Sequence, residues 1–343
     1  MSIFQRLKNW LTVLALTFAY TFPKAEYAQK AIRYLQLFLF RARSDWVHEE
    51  SRGYWIAEDL QHNAKKEAIN DRILESHVIF LWIPGNYSWY KSGGFRFNPS
   101  RLYTSTFADW IRALEADKGI KSMVFVADYR RGREHLFPAA VKDIADTYDW
   151  LIHTLQIDPN KIIIGADDAG AAVALDALML KIPSELKPAA MICASPYIGL
   201  EAGGESWRNN LSKDILNEKA ITHMENNYLK PEEENEDEDD YTVPEAKYED
   251  GLSPFEYLKS DVEVGSCLPK RMLLFLGGQE VLLDEGGYLA SKARQGGVQV
   301  VVVQEPTGKH LWSMLPDILA EEVHVKQTVC DRLVEFVSNC IHK

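Results

Sequence analysis

Apolar and polar positions alternate along this chain with two different periods. From residue 75 onward, short runs of β-branched and aromatic residues recur between longer segments of helical spacing. "HVIFLWI" (77–83), "SMVFVAD" (122–128), "KIIIG" (161–165), "AAMICAS" (189–195), "RMLLFLG" (271–277) and "VQVVVVQ" (298–304) predict strands, most of them buried on both faces. Between them, residues 138–155 place Val141, Ile144, Ala145, Tyr148, Ile152 and Leu155 on one helical stripe, with Pro138 near its start. A second helix follows in "AGAAVALDALML", and a long amphipathic helix is predicted from Pro316 to Ile341. Strands separated by helices imply an α/β fold with a mostly parallel central sheet covered on both faces. Ligands in such sheets bind at the carboxyl ends of the strands.

Two regions break this rhythm. At the start, "WLTVLALTFAYTF" (10–22) is an uncharged apolar run between Lys8 and Lys24, and "AIRYLQLFLFRAR" (31–43) follows it. The first run is shorter than the roughly 17–25 residues that a spanning helix needs. Residues 1–45 are therefore read as a membrane-associating signal anchor or interfacial hairpin, with two helices packed on a globular body as the other reading. The globular body would then occupy 46–343. Within it, residues 205–262 read as a lid-like insertion. It carries the acidic segment 231–241, which has eight carboxylates between Glu232 and Asp240. Repulsion and the lack of apolar residues predict a solvated, disordered run there.

Charge and cysteines narrow the options. A net charge of −12 argues against nucleic acid as a partner, because phosphate binding needs clustered Lys and Arg. Cys193, Cys267, Cys330 and Cys340 form neither a CxxC pair nor a secreted-type framework, so neither disulfides nor structural zinc is expected. No cofactor or other metal is expected. Two N-x-S matches, at Asn86 and Asn210, would be glycosylation candidates if the body faced a lumen.

The chemistry centres on "IIIGADDAG" (162–170), in which a β-branched run crosses a tight polar turn into an alanine-rich helix. Around it, residues 128–175 resemble the middle of the hormonesensitive-lipase-type α/β-hydrolases, which include the arylacetamide deacetylases and fungal steryl acetyl hydrolases. Asp128, Tyr129 and Arg130, then Phe137–Ala140, Asp143 and Trp150 follow that family's motif in order. "SPYIGL" (195–200), "GLSPFEYL", the stretch 276–300 and "GKHLW" (308–312) extend the likeness over about residues 75–340.

The resemblance implies an α/β-hydrolase fold with a catalytic acid at Glu280 and a base at His310. The nucleophile's place falls on Asp168, where the family has serine. It further implies an oxyanion hole at Gly85, Asn86 and Ala169, although Pro84 replaces one glycine of that loop and lacks an N–H. Ala166 stands where the family's first motif glycine would be.

A carboxylate has no hydroxyl proton for the histidine to remove, so the serine-esterase route is not expected. Three readings remain. One is a pseudoenzyme that binds a lipophilic small molecule or a protein partner. Another is a hydrolase using Asp168 as covalent nucleophile with His310 and Glu280, as in epoxide hydrolases; such chemistry also needs lid tyrosines, for which the insertion offers Tyr228, Tyr241, Tyr248 and Tyr257. The third is a membrane-tethered interaction protein docking through its acidic segment. The expected location is a membrane surface reached through the N-terminus, such as the endoplasmic reticulum or another lipid-rich membrane.

Overall fold

All six apolar runs become parallel neighbours in one sheet. The computed structural model describes residues 3–21, 44–60, 66–85, 103–130, 135, 137–199, 204–218, 220, 264–319 and 324–341. Among these, the strands are β1 (Val47–Glu50), β2 (Gly53–Ile56), β3 (Val78–Ile83), β4 (Ser122–Ala127), β5 (Ile162–Asp167), β6 (Ala190–Ala194), β7 (Arg271–Gly277) and β8 (Gln299–Glu305). Their order across the sheet is β1-β2-β4-β3-β5-β6-β7-β8, antiparallel at the β1/β2 and β2/β4 seams and parallel elsewhere. The β1/β2 hairpin had no pattern to announce it. "VHEE" is a four-residue edge strand with a mostly polar pattern, and it becomes a strand by pairing with β2.

Nine helices flank the sheet among the described residues: α1 (Ile3–Thr21), α2 (Lys66–Glu75), α3 (Thr104–Lys118), α4 (Ala139–Asp149), α5 (Gly170–Leu180), α6 (Glu205–Asn210), α7 (Leu283–Gln295), α8 (Pro316–Leu319) and α9 (Val325–Ile341). α3 packs with α9, and α4 with α5. α5 is alanine-rich and buried along nearly its whole length, as a helix apolar all round must be. The helix predicted over 138–155 turns wider at Trp150–Thr154, where a π-helical turn replaces the α pattern. The long helix predicted from Pro316 to Ile341 is instead two pieces, α8 and α9, separated by residues that include 320–323 outside the described set.

The N-terminal helix packs against the body. α1 lies on α8, buries Thr12, Leu16 and Tyr20, and Asn9 donates its side-chain amide to the Asp317 carbonyl. Its other face leaves Leu7, Trp10, Leu11, Leu14 and Phe18 exposed. No helix among the described residues is long and apolar enough to cross a membrane. The second apolar run (31–43), the acidic segment 231–241 and most of the insertion fall outside the described residues.

Candidate active site

The turn after β5 is built by close backbone packing. β5 runs between β3 and β6, with Ala166 opposite Ile83 and Cys193, and Asp167 opposite Ala194. The chain then reverses at Asp168, whose φ of 49° lies in the left-handed region. Aspartate is among the few non-glycine residues that adopt this conformation readily. Hydrogen bonds on both sides fix the turn: Asp168 N donates to the Ala194 carbonyl (3.2 Å), and the Asp168 carbonyl accepts from Tyr197 N (3.0 Å) and Ala171 N (3.1 Å). A Cβ on Gly170 would lie 2.1 Å from the Ile83 carbonyl oxygen, and one on Gly85 would lie 2.3 Å from the Asp167 carbonyl. The glycine at 165, one place earlier than the resemblance predicts, leaves room for the Trp82 ring, which a Cβ there would meet at 2.2 Å.

Asp167 ties this turn to the loop after β3. Its Oδ1 accepts from Trp82 Nε1 (2.6 Å), and its Oδ2 accepts from Tyr103 Oη (3.1 Å) and Gly85 N (3.3 Å). Gly85 was expected to offer its N–H to an oxyanion; here that N–H is donated to Asp167. Pro84 keeps a role through its carbonyl, which accepts from the Tyr129 hydroxyl. Ala169 forms the start of α5 and is 5% exposed. Asn86 lies outside the described residues.

Asp168 and His310 come together. Nε2 of His310 lies 3.5 Å from Oδ1 of Asp168, and both residues are buried. Burial disfavours the imidazolium, but the charges of Asp168, Asp214 and Glu280 outweigh it and lift the His310 pKa to about 9. The pair therefore sets an imidazole of raised basicity against an acidic side chain in a buried site. Tyr20 of α1 covers the ring edge-on at 5.7 Å between centroids. Burial first, and then the charges of Asp168, Asp167 and Asp214, push its phenol well above the usual range. The tyrosines sought in the insertion lie outside the described residues; the one brought to the histidine comes from the first helix.

Glu280 sits in the loop after β7, fully buried. Its Oε1 accepts from Gly277 N (2.7 Å), and its carboxyl also bonds Ser195. It acts on His310 through charge, with no hydrogen bond to either ring nitrogen. Burial raises its pKa to about 8, against the lowering influence of His310. Ser195, another left-handed residue at φ 46°, in turn accepts from Leu311 N (2.9 Å) through its Oγ.

Residues 204–218 and 220, the described part of the insertion segment, are bonded to the same loop. Asn210 Nδ2 donates to the carbonyls of Glu280 (3.0 Å) and Gly278 (3.2 Å), and Ser206 Oγ donates to the Val281 carbonyl (2.7 Å). This corrects the glycosylation reading of Asn210: the side chain is 4% exposed with its amide engaged, which leaves no room for a glycan.

Residues 90–314, well over half of the chain, match the profile of a family described as having the alpha/beta hydrolase fold. The chain belongs to that family. Among curated relatives, an esterase of Acinetobacter venetianus is 32% identical over 55% of this chain and 57% of its own length. An acetyl-hydrolase of Streptomyces hygroscopicus is 28% identical over 58% and 60%, and a carboxylesterase/phospholipase, LipF, of Mycobacterium tuberculosis is 26% identical over 59% and 50%. The chain thus spans between half and three fifths of the length of these relatives. A solved esterase from the bacterial hormone-sensitive lipase family superposes with a TM-score of 0.69 at 23% identity, covering 97% of this chain and 98% of that one. The hormone-sensitive-lipase homologue EstE7 from a metagenome library gives 0.67 at 20% identity over 98% of both chains. At these identities the superpositions establish the fold.

Proposed function

We propose that this α/β-hydrolase-fold protein works at a lipid surface and binds a lipophilic ligand, with the serine-ester route closed. The observation that carries this reading is the Asp168–His310 pair at 3.5 Å. Asp168 occupies the apex where the resemblance puts an attacking serine, and a carboxylate there has no proton to give. Its charge also holds His310 protonated, so the imidazole is not available as a base. Names of the matched relatives, an acetyl-hydrolase, an esterase and a carboxylesterase/phospholipase, favour an acyl or otherwise lipophilic ligand. The test is turnover of short acyl p-nitrophenyl esters by the full chain. The wild type is expected to be inert, and hydrolysis at ordinary esterase rates overturns the reading. Gain of hydrolysis in Asp168→Ser would show that the remaining groups are intact.

The lipid surface is supported by the outer face of α1. Leu7, Trp10, Leu11, Leu14 and Phe18 are exposed on it, with Trp10 at 60%. The helix contains no acidic residue, although the chain carries a net charge of −12. A helix that is not long and apolar enough to cross, packed on one face and apolar on the other, suits a bilayer interface. Phosphatidylcholine vesicles should carry the wild type down on sedimentation and leave Trp10→Asp/Leu14→Asp in solution. A wild type that stays in solution refutes this part.

A second reading is favoured by the direction of the carboxylate, whose Oδ1 faces Nε2 of His310 inside a buried site. Asp168 would attack a saturated epoxide carbon; the C–O bond breaks, and the alkoxide takes the proton of the His310 imidazolium, or one from water where that ring is replaced. Once esterified, Asp168 no longer holds the imidazolium, and His310 is free to activate the water that releases a diol. Incubation with lipophilic epoxides should then leave a mass adduct on the peptide 162–170, persistent in His310→Gln. No adduct in that variant rules out the covalent route.

A further inference from the structure

The resemblance gives the acid's part to Glu280, yet another carboxylate is bonded directly to the histidine's own backbone. Asp214 follows α6 in the insertion segment. Its Oδ1 accepts from His310 N (2.8 Å) and Ile215 N (2.8 Å), and its Oδ2 accepts from Val281 N (2.8 Å). One side chain thus spans the two loops that carry Glu280 and His310. Ser195 makes a parallel bridge, from the Glu280 carboxyl to Leu311 N. The two differ in what they bring: Ser195 is neutral, whereas Asp214 exerts a stronger charge effect on His310 than Glu280 does. Burial lifts both carboxyls, Glu280 to about 8 and Asp214 in the same direction against its hydrogen bonds from the His310, Val281 and Ile215 amides; what separates them is that Asp214 is bonded to the histidine's main chain, whereas Glu280 is engaged by Gly277.

We propose that Asp214 positions His310 and supplies the second negative charge acting on its imidazole, the part that the sequence pattern assigns to Glu280. Resting on the Asp168–His310 pairing described above, this names the group that holds the histidine's orientation from behind. The groups that act on His310 are Asp168 after β5, Asp214 after α6, Glu280 after β7 and Tyr20 of α1. The bond from the His310 amide fixes the stretch of main chain from which the imidazole projects toward Asp168.

NMR titration of the His310 ring in the full chain tests this, using wild type, Asp214→Asn, Asp214→Glu and Glu280→Gln. Asp214→Asn should lower the His310 midpoint by about one pH unit, a tenfold change in proton affinity. Asp214→Glu should retain most of the elevation, and Glu280→Gln should move the midpoint less than Asp214→Asn does. A larger shift in Glu280→Gln, or none in Asp214→Asn, overturns the proposal. Should Asp214→Asn fail to fold, Glu280→Gln decides alone: a fall of about one unit or more refutes Asp214, and a smaller change supports it. Asp168→Asn is the separate control, because an unmoved midpoint there removes the ion-pair reading while leaving the Asp214 comparison standing.

Discussion

Both sides of the site contain closely packed glycine backbone, at Gly85 and Gly170 and again at Gly277 and Gly278, and they differ in how many side chains bridge their loops. On the elbow side, backbone packs against backbone: Gly85 and Gly170 sit where a Cβ would lie within 2.3 Å of a carbonyl oxygen. On the acid–histidine side, Asp214, Ser195, Ser206 and Asn210 hold the loops by hydrogen bonds to main-chain groups. Steric fit is rigid and intolerant of added volume. A bracket of hydrogen bonds yields in steps, each costing about 1–3 kcal/mol when a buried group loses its partner.

The comparison breaks most sharply at Gly170. Gly170→Ala should destabilise by about 3 kcal/mol or prevent folding, since its obstacle is the Ile83 backbone and not a side chain that can turn away. Urea denaturation measures it, and a loss below about 1 kcal/mol would show the elbow to be soft.

The pH profile gives the next largest effect. Asp167, raised to about 7 by burial and by Asp168 against its hydrogen bonds, and Glu280, raised to about 8, hold their protons to higher pH folded than unfolded. His310, at about 9, does likewise above its ordinary value. In each case the folded chain binds more protons, so stability falls as pH rises from about 4 to about 9. Melting temperature should drop by several degrees over that range. Asp167→Asn should flatten the lower part of the decline and Glu280→Gln the upper part.

Ser206→Ala comes next. It removes the bond to the Val281 carbonyl and the acceptor for Asp284 N (3.3 Å), for a loss of about 1–2 kcal/mol by the same denaturation. Smallest, and opposite in sign, is Gly287→Ala. This exposed glycine lies inside α7 with nothing within 4 Å of its added Cβ, so the change should stabilise by about 0.5–1 kcal/mol.

The same contrast explains what could be read from the chain. The inner strands announce themselves because strands buried on both faces are apolar, as β3 and β6 are throughout, whereas β8, at the sheet edge, is apolar in sequence yet half-exposed. Asp168 and His310 were legible through the family resemblance, at the places of its nucleophile and its base, and the structure sets them 3.5 Å apart. Asp214 was not. Its partners lie 67 and 96 positions away, and bonds to distant amides leave no periodicity behind. Tyr20 was hidden differently, inside an apolar run that pointed toward lipid, though one face of its helix packs on the body.

That helix has a practical consequence. A chain trimmed to begin near residue 45, the obvious way to discard a greasy leader, would strip the aromatic roof from the imidazole and let water in beside Asp168. Solvating both charges would loosen their pairing, so a shortened protein would report the chemistry of a different, wetter site.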